Sequence, residues 1–325
     1  MHDIPHSLFH TPAMAMPTTP ILETLRHIAH QYETPQFIAT DPLSLPYTLI
    51  QGHTGCQNPA HSKHFTLKCL TERIALTAAM MAYGNRVLLI KQLFKVLFPV
   101  ALFTERTHLE THEALQGSPQ TFFNTLLAWH KINAQHTLGY RFQTHTDVLW
   151  WLELMASLPA PQAGKTALVA LWQKALHTVL TQDRRSNHEG VLALEEDAFF
   201  QRTLDTWVSL IVAYHPPQTY GQRYLLSRPS ASSARKRLCL FLRWVVRTGC
   251  VDLGLWHPET TSLYPSHLRM PLDTHVAKQA RLHGLLHRQS NDWQSVCQLT
   301  HMLRQGSPED PLLYEFSLFA PFPKG

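Results

Sequence analysis

Ser232-Ser-Ala-Arg-Lys-Arg-Leu-Cys-Leu-Phe-Leu-Arg-Trp-Val-Val-Arg247 sets apolar side chains at Leu238, Phe241, Leu242 and Val245, the three-and-four spacing of one helix face. Lys236, Leu240, Arg243 and Arg247 follow at i, i+4, i+7 and i+11 along a second stripe. The same period governs the rest of the chain, and no stretch shows sustained two-residue alternation bounded by hairpin turns. An all-α fold follows. Helices are expected over Ile21 to Tyr32, Leu70 to Tyr83, Arg86 to Phe103, Pro119 to Ile132, Asp147 to Leu158, Lys165 to Leu180 and Asp197 to Ala213. Ser232 to Arg247, Thr274 to Gly284, Asn291 to Arg304 and Pro308 to Phe319 complete the set. Ser118-Pro119 and Ser307-Pro308 each pair an N-cap hydroxyl with a proline at the first helical position.

Composition bounds the rest. A chain of 325 residues with 44% hydrophobic and 16% charged residues can bury a core, which excludes disorder as its default state. The formal charge of +5 and pI near 9.0 permit affinity for a polyanion without assigning one, and 22 histidines add charge as pH falls. Five widely spaced cysteines without a C-x-x-C pair imply neither a disulfide framework nor a four-cysteine cluster, and point to reducing cytoplasm. Met1 to Pro20 lacks a basic n-region followed by an apolar h-region and reads as an unstructured leader. The most apolar run, Val87 to Phe103, contains Lys91 and Lys95, so no membrane span is expected. Proline-rich punctuation at Pro159-Ala-Pro161 suggests an N-terminal lobe over 21–161 and a C-terminal lobe over 162–325, with a single interlocked domain as the alternative.

Charge is unevenly placed. Between Thr206 and Val251 there is no Asp or Glu, yet Arg223, Arg228, Arg235, Lys236, Arg237, Arg243 and Arg247 all fall there. A basic stripe backed by a core-facing stripe suits a phosphate backbone, and a solvated cationic face is the bland alternative. Downstream, Asp273 precedes a helical pattern and is placed to cap it, ionised, near that basic helix.

Arg235-Lys-Arg-Leu-Cys-Leu-Phe-Leu-Arg-Trp244 followed by Pro271-Leu-Asp-Thr-His-Val276 resembles the lysine helix and the V-D-T-H-V segment of the helix-hairpin-helix DNA glycosylases, the superfamily of endonuclease III. The resemblance implies a two-lobed helical fold, Lys236 as the nucleophile at the sugar C1′ and Asp273 as the assisting carboxylate. Over most of its length from about Leu22 the chain is identified as a member of a bacterial family, domain of unknown function 2400. The segments that carry this are Asp41-Pro-Leu43, Ala82-Tyr-Gly-Asn-Arg86, Tyr140-Arg-Phe142, Lys236 to Arg247, Pro271 to Val276 and Pro308-Glu-Asp-Pro311. The Lys236 to Asp273 spacing is more like that of archaeal 8-oxoguanine glycosylases, which implies an oxidised purine as substrate. Two departures stand out. Leu226-Ser-Arg-Pro-Ser-Ala-Ser-Ser233 replaces the glycine hairpin before the lysine, and the cluster-binding cysteines of endonuclease III are missing, so no iron–sulfur cluster is expected.

The expected function is a DNA-repair glycosylase with AP-lyase chemistry, acting as a monomer on double-stranded DNA that carries a damaged base. Lys236, flanked by Arg235 and Arg237, is expected to give up its proton more readily than an ordinary lysine. Trp244, Tyr140, Phe142 and His275 are expected around the extruded base, with Trp256 as a further candidate wall, and Arg228, Arg235, Arg237, Arg243, Arg247 and Arg86 at the DNA backbone. Arg141 reads equally as a buried ion-pair partner. His53, Cys56, His61, His64 and Cys69, in an insertion over 52–69, have the number of ligands for zinc but match no standard finger, and no metal is assigned. Two other readings remain: a non-catalytic nucleic-acid-binding protein, and a helical scaffold that uses its histidines for metal.

Overall fold

A computed structural model describes residues 19–39, 41–54, 65–99, 117–133, 141, 143–183, 196–226 and 233–319. The described residues hold helices and isolated bridge positions such as Gln162 with Lys165, and no strand, so the fold class is all-α. In chain order the helices are α1 (Thr19–Tyr32), α2 (Pro35–Ile38), α3 (Ser44–Thr54), α4 (Phe65–Met80), α5 (Arg86–Leu97), α6 (Pro119–Ile132), α7 (His145–Ser157) and α8 (Ala167–Gln182). They continue as α9 (Asp197–Val212), α10 (Tyr220–Leu225), α11 (Lys236–Val246), α12 (Pro258–Thr261), α13 (Thr274–Leu282), α14 (Trp293–Gly306) and α15 (Glu315–Phe319). Two 3-10 turns, Pro265–His267 and Pro311–Tyr314, lie among the last of these.

Helix starts follow the capping chemistry. Ser118 accepts from Thr121 N–H at α6, Thr144 and Asp147 form a reciprocal capping box at α7, and Asp273 accepts from Val276 N–H at α13. Ser307-Pro308 departs from expectation. Ser307 closes α14, and the next turn begins at Pro311 under Asp310, whose carboxylate is also gripped by Arg247. The short helices α2, α10 and α12, absent from the expected set, carry too few turns to show a period, and α3 is absent from that set as well.

At the centre runs α4, buried on every side from Cys69 to Met80. Two of its charged residues, Glu72 and Arg73, bond inside the core. Glu72 Oε1 accepts from Thr166 Oγ1 and Trp256 Nε1, each at 2.6 Å, and Arg73 donates to the carbonyls of Met155 (2.5 Å) and Pro159 (2.9 Å) at the end of α7. Trp172, Trp207 and Trp256 meet at centroid distances of 5.9 to 6.1 Å beside α4, with Phe241 of α11 stacked on Trp207. Buried residues from Leu22 to Leu318 belong to one continuous core. Within it α1 packs on α15, and α4 packs on α11, so both ends of the chain build the same core. No helix among the described residues is long and apolar enough to cross a membrane.

Candidate active site

Three consecutive basic residues leave the start of α11 in three directions. Arg235 takes a left-handed backbone, φ +51°, which turns the chain sharply into the helix. Its guanidinium is clamped by Asp205 of α9, Nε to Oδ1 at 3.1 Å and Nη2 to Oδ2 at 2.9 Å, and lies over the Trp293 ring. Arg237 goes the other way. It donates to the carbonyls of Met80 and Tyr224, with its guanidinium 4.7 Å from the Tyr224 ring centre and 5.7 Å from that of Tyr83. Lys236, held between two anchored neighbours, extends into a cleft of about 770 Å³.

Asp273 lines the same cleft. Its Oδ2 lies 3.0 Å from Lys236 Nζ, with the side chains 26% and 32% exposed, and its Oδ1 accepts from Val276 N–H at 2.8 Å. Burial pushes this carboxyl upward, but the Lys236 ammonium and the α13 N–H groups outweigh it and hold the carboxyl below its ordinary value. Thirty-seven residues apart in sequence, the nucleophile and carboxylate candidates are therefore in contact and reachable from solvent.

The other arginines of α11 are not where the basic stripe would put them. Arg235, Arg243 and Arg247 are 4%, 2% and 5% exposed. Arg243 pairs with Glu315 at 2.8 Å and Asp252 at 3.4 Å, and Arg247 with Asp252 at 2.6 Å, Asp310 at 2.8 Å and Glu33 at 3.6 Å. These residues are corrected from phosphate contacts to internal ion pairs. The physical reason lies at the edges of the acid-free stretch, where Asp205 and Asp252 provide the counter-charge. Arg237, shared between aromatic rings and carbonyls, is likewise spent inside the cleft wall.

Trp244 is fully buried in the core and is corrected from a base contact, as is Trp256, which serves Glu72. His275 and Arg86 do line the cleft. His275 meets the Phe319 ring edge-on at 6.1 Å, and the Arg86 guanidinium sits 4.8 Å from the centre of that ring. Arg141 is exposed rather than buried, at φ +57°. Tyr140, Phe142 and Arg228 lie outside the described residues, as do Cys56, His61 and His64 and most of the Leu226 to Ser233 connection. Cys69 is buried in α4, where burial pushes its thiol up to about 12. Among the described residues no group of three or more His, Cys, Asp or Glu could hold a metal ion.

Two acids that the sequence did not single out also line the cleft. Glu315 sits beneath Arg243, and burial, against the pull of that arginine, pushes it up to about 7. Asp41 anchors the turn before α3, its Oδ1 accepting from Leu43 N–H at 2.9 Å. The Asp-Pro-Leu segment was visible in sequence, but nothing local ties it to α11.

A family model described as Protein of unknown function (DUF2400) matches residues 60–321. No curated protein and no solved structure matches the chain.

Proposed function

The chain belongs to the family described as Protein of unknown function (DUF2400), and from that premise and the Lys236–Asp273 contact we propose that it is a DNA-repair glycosylase with lyase activity. The observation that carries this reading is an amine and an ionised carboxylate 3.0 Å apart at a cleft large enough for an extruded nucleotide. Lys236 as the free amine attacks C1′, and the glycosidic bond breaks with its electron pair passing to the departing base. The resulting Schiff base opens the route to β-elimination and strand cleavage. Asp273, kept ionised at the start of α13, stabilises the positive charge that develops on the sugar. In this reading an oxidised purine such as 8-oxoguanine is the substrate. DNA is the partner.

The non-catalytic alternative, which the missing glycine hairpin favours, kept the basic stripe of α11 as its binding surface. With Arg235, Arg243 and Arg247 buried, that stripe is not available.

Borohydride trapping on duplexes carrying 8-oxoguanine, uracil, an alkylated purine or an abasic site tests the proposal. A covalent adduct is expected with wild type and none with Lys236→Gln. Asp273→Asn keeps an oxygen that can accept from Val276 N–H, so it is expected to fold normally while trapping at least roughly 100-fold more slowly. No adduct with any of the four duplexes would overturn the reading.

A further inference from the structure

The Lys236–Asp273 pair leaves one proton unaccounted for. An ammonium cannot attack carbon, so Lys236 must first lose a proton, and Asp273, though only 3.0 Å away, is a weak base for that step. Both of its oxygens are committed, Oδ1 to the α13 cap and Oδ2 to the ammonium itself. The cap and the helix N-terminus both favour its charged form.

We propose that Asp41 is the proton shuttle of this cleft, taking the proton from Lys236 through its Oδ2 oxygen and returning it to the leaving group. The inference rests on the glycosylase reading and deepens it. Asp41 and Lys236 line the same cleft from opposite sequence ends of the fold. Asp41 Oδ1 is fixed by Leu43 N–H, whereas Oδ2 makes no hydrogen bond among the described residues. The charged groups that act on it are Arg86 of α5, Lys236 and Arg243 of α11, and Glu315 of α15. Burial pushes the Asp41 carboxyl above its ordinary value despite the Leu43 N–H and these cations, the opposite direction from Asp273. Two carboxylates driven apart in this way divide the work between a fixed charge and a proton carrier.

The chemistry balances. On an abasic aldehyde, the Lys236 ammonium gives one proton to Asp41 through water in the cleft they both line, since the two side chains form no direct ion pair. The amine lone pair forms the C–N bond while the carbonyl π pair moves to oxygen, and an N–H proton follows to give the carbinolamine. Asp41 returns its proton to that hydroxyl, which leaves as water as the iminium forms. On an intact nucleotide the electron pair goes to the base with the glycosidic bond, and the returned proton goes to the base.

The test uses the full chain and a duplex with a preformed abasic site, so that no damaged base need be known. Wild type is expected to form the borohydride-trapped adduct at a nearly constant rate around neutral pH. Asp41→Asn, which retains an acceptor for Leu43 N–H, is expected to trap roughly 100-fold more slowly at pH 7 and to recover about tenfold per pH unit as hydroxide replaces the missing base. Asp41→Glu is expected to restore part of the neutral rate. Trapping by Asp41→Asn at the wild-type rate would overturn the shuttle, and so would a rate equally depressed at every pH, which marks a positioning role. Both outcomes leave the glycosylase reading standing, whereas wild type forming no adduct with this duplex or with the three that carry a damaged base removes both.

Discussion

At the scale of single residues, environment decides what a side chain is for. Arg235, Lys236 and Arg237 are neighbours with similar chemistry, yet one is clamped to Asp205, one reaches Asp273 in the cleft and one lies between tyrosine rings. The acids divide in the same way. Asp273 is held ionised by a cation and a helix start, whereas Glu72, with two donors on one oxygen, is pushed by burial up to about 7 from an ordinary 4.5. The sign of its effect on stability follows. Between pH 4.5 and 7 the unfolded carboxyl has lost its proton and the folded one still holds it, so stability falls as pH rises through that window. Glu72→Gln removes this slope. Urea unfolding from pH 4.5 to 7.5 is expected to show wild type losing on the order of 2 kcal/mol more than the variant, with the other buried acids common to both proteins.

At the scale of elements, α11 and α13 are aimed by their first residues. The left-handed Arg235 sets the direction of α11, and the bidentate pair to Asp205 holds that backbone in place. A similar tight junction joins α10 to α7. Gly221 packs so closely there that an added Cβ would lie 2.2 Å from Asp147 Oδ2 and 2.6 Å from its Cγ. The Asp147 carboxylate cannot swing away, because Thr144 N–H and Oγ1, each at 2.8 Å, and Thr219 Oγ1 at 2.5 Å all hold it. Gly221→Ala is therefore expected to cost about 1–3 kcal/mol, read as a lowered thermal midpoint. Because Tyr224 of α10 supports Arg237, the same change should also loosen the cleft wall beside Lys236.

At the scale of the whole molecule, the buried arginines limit how the protein can hold a polyanion. A footprint around the cleft built on Arg86, Arg223 and Lys236 gives a log–log salt slope of about −3, whereas one that added Arg235, Arg243 and Arg247 would give about −5. Fluorescence anisotropy of an abasic duplex at several salt concentrations distinguishes the two, and the shallower slope is expected. The all-α class was legible because helical periodicity and caps are local: Ser118, Asp273 and the apolar face of α11 each announce themselves within one or two turns. The pairing of Lys236 with Asp273 was suggested by motif order and brought into contact by the fold. Chain composition could not tell that the basic stripe was an interior one, since Arg243 and Arg247 meet Glu315 and Asp310 more than sixty residues away. Asp41 is further still from Lys236 in sequence, and no local pattern marks it as part of the same cleft. Sequence by itself thus determined the all-helical class and most of the longer helices, which depend on near neighbours along the chain, and motif resemblance pointed to the candidate nucleophile. Tertiary structure alone decided which charges face the cleft and which neutralise each other inside, because burial and Coulomb partners depend on distances that chain order does not record.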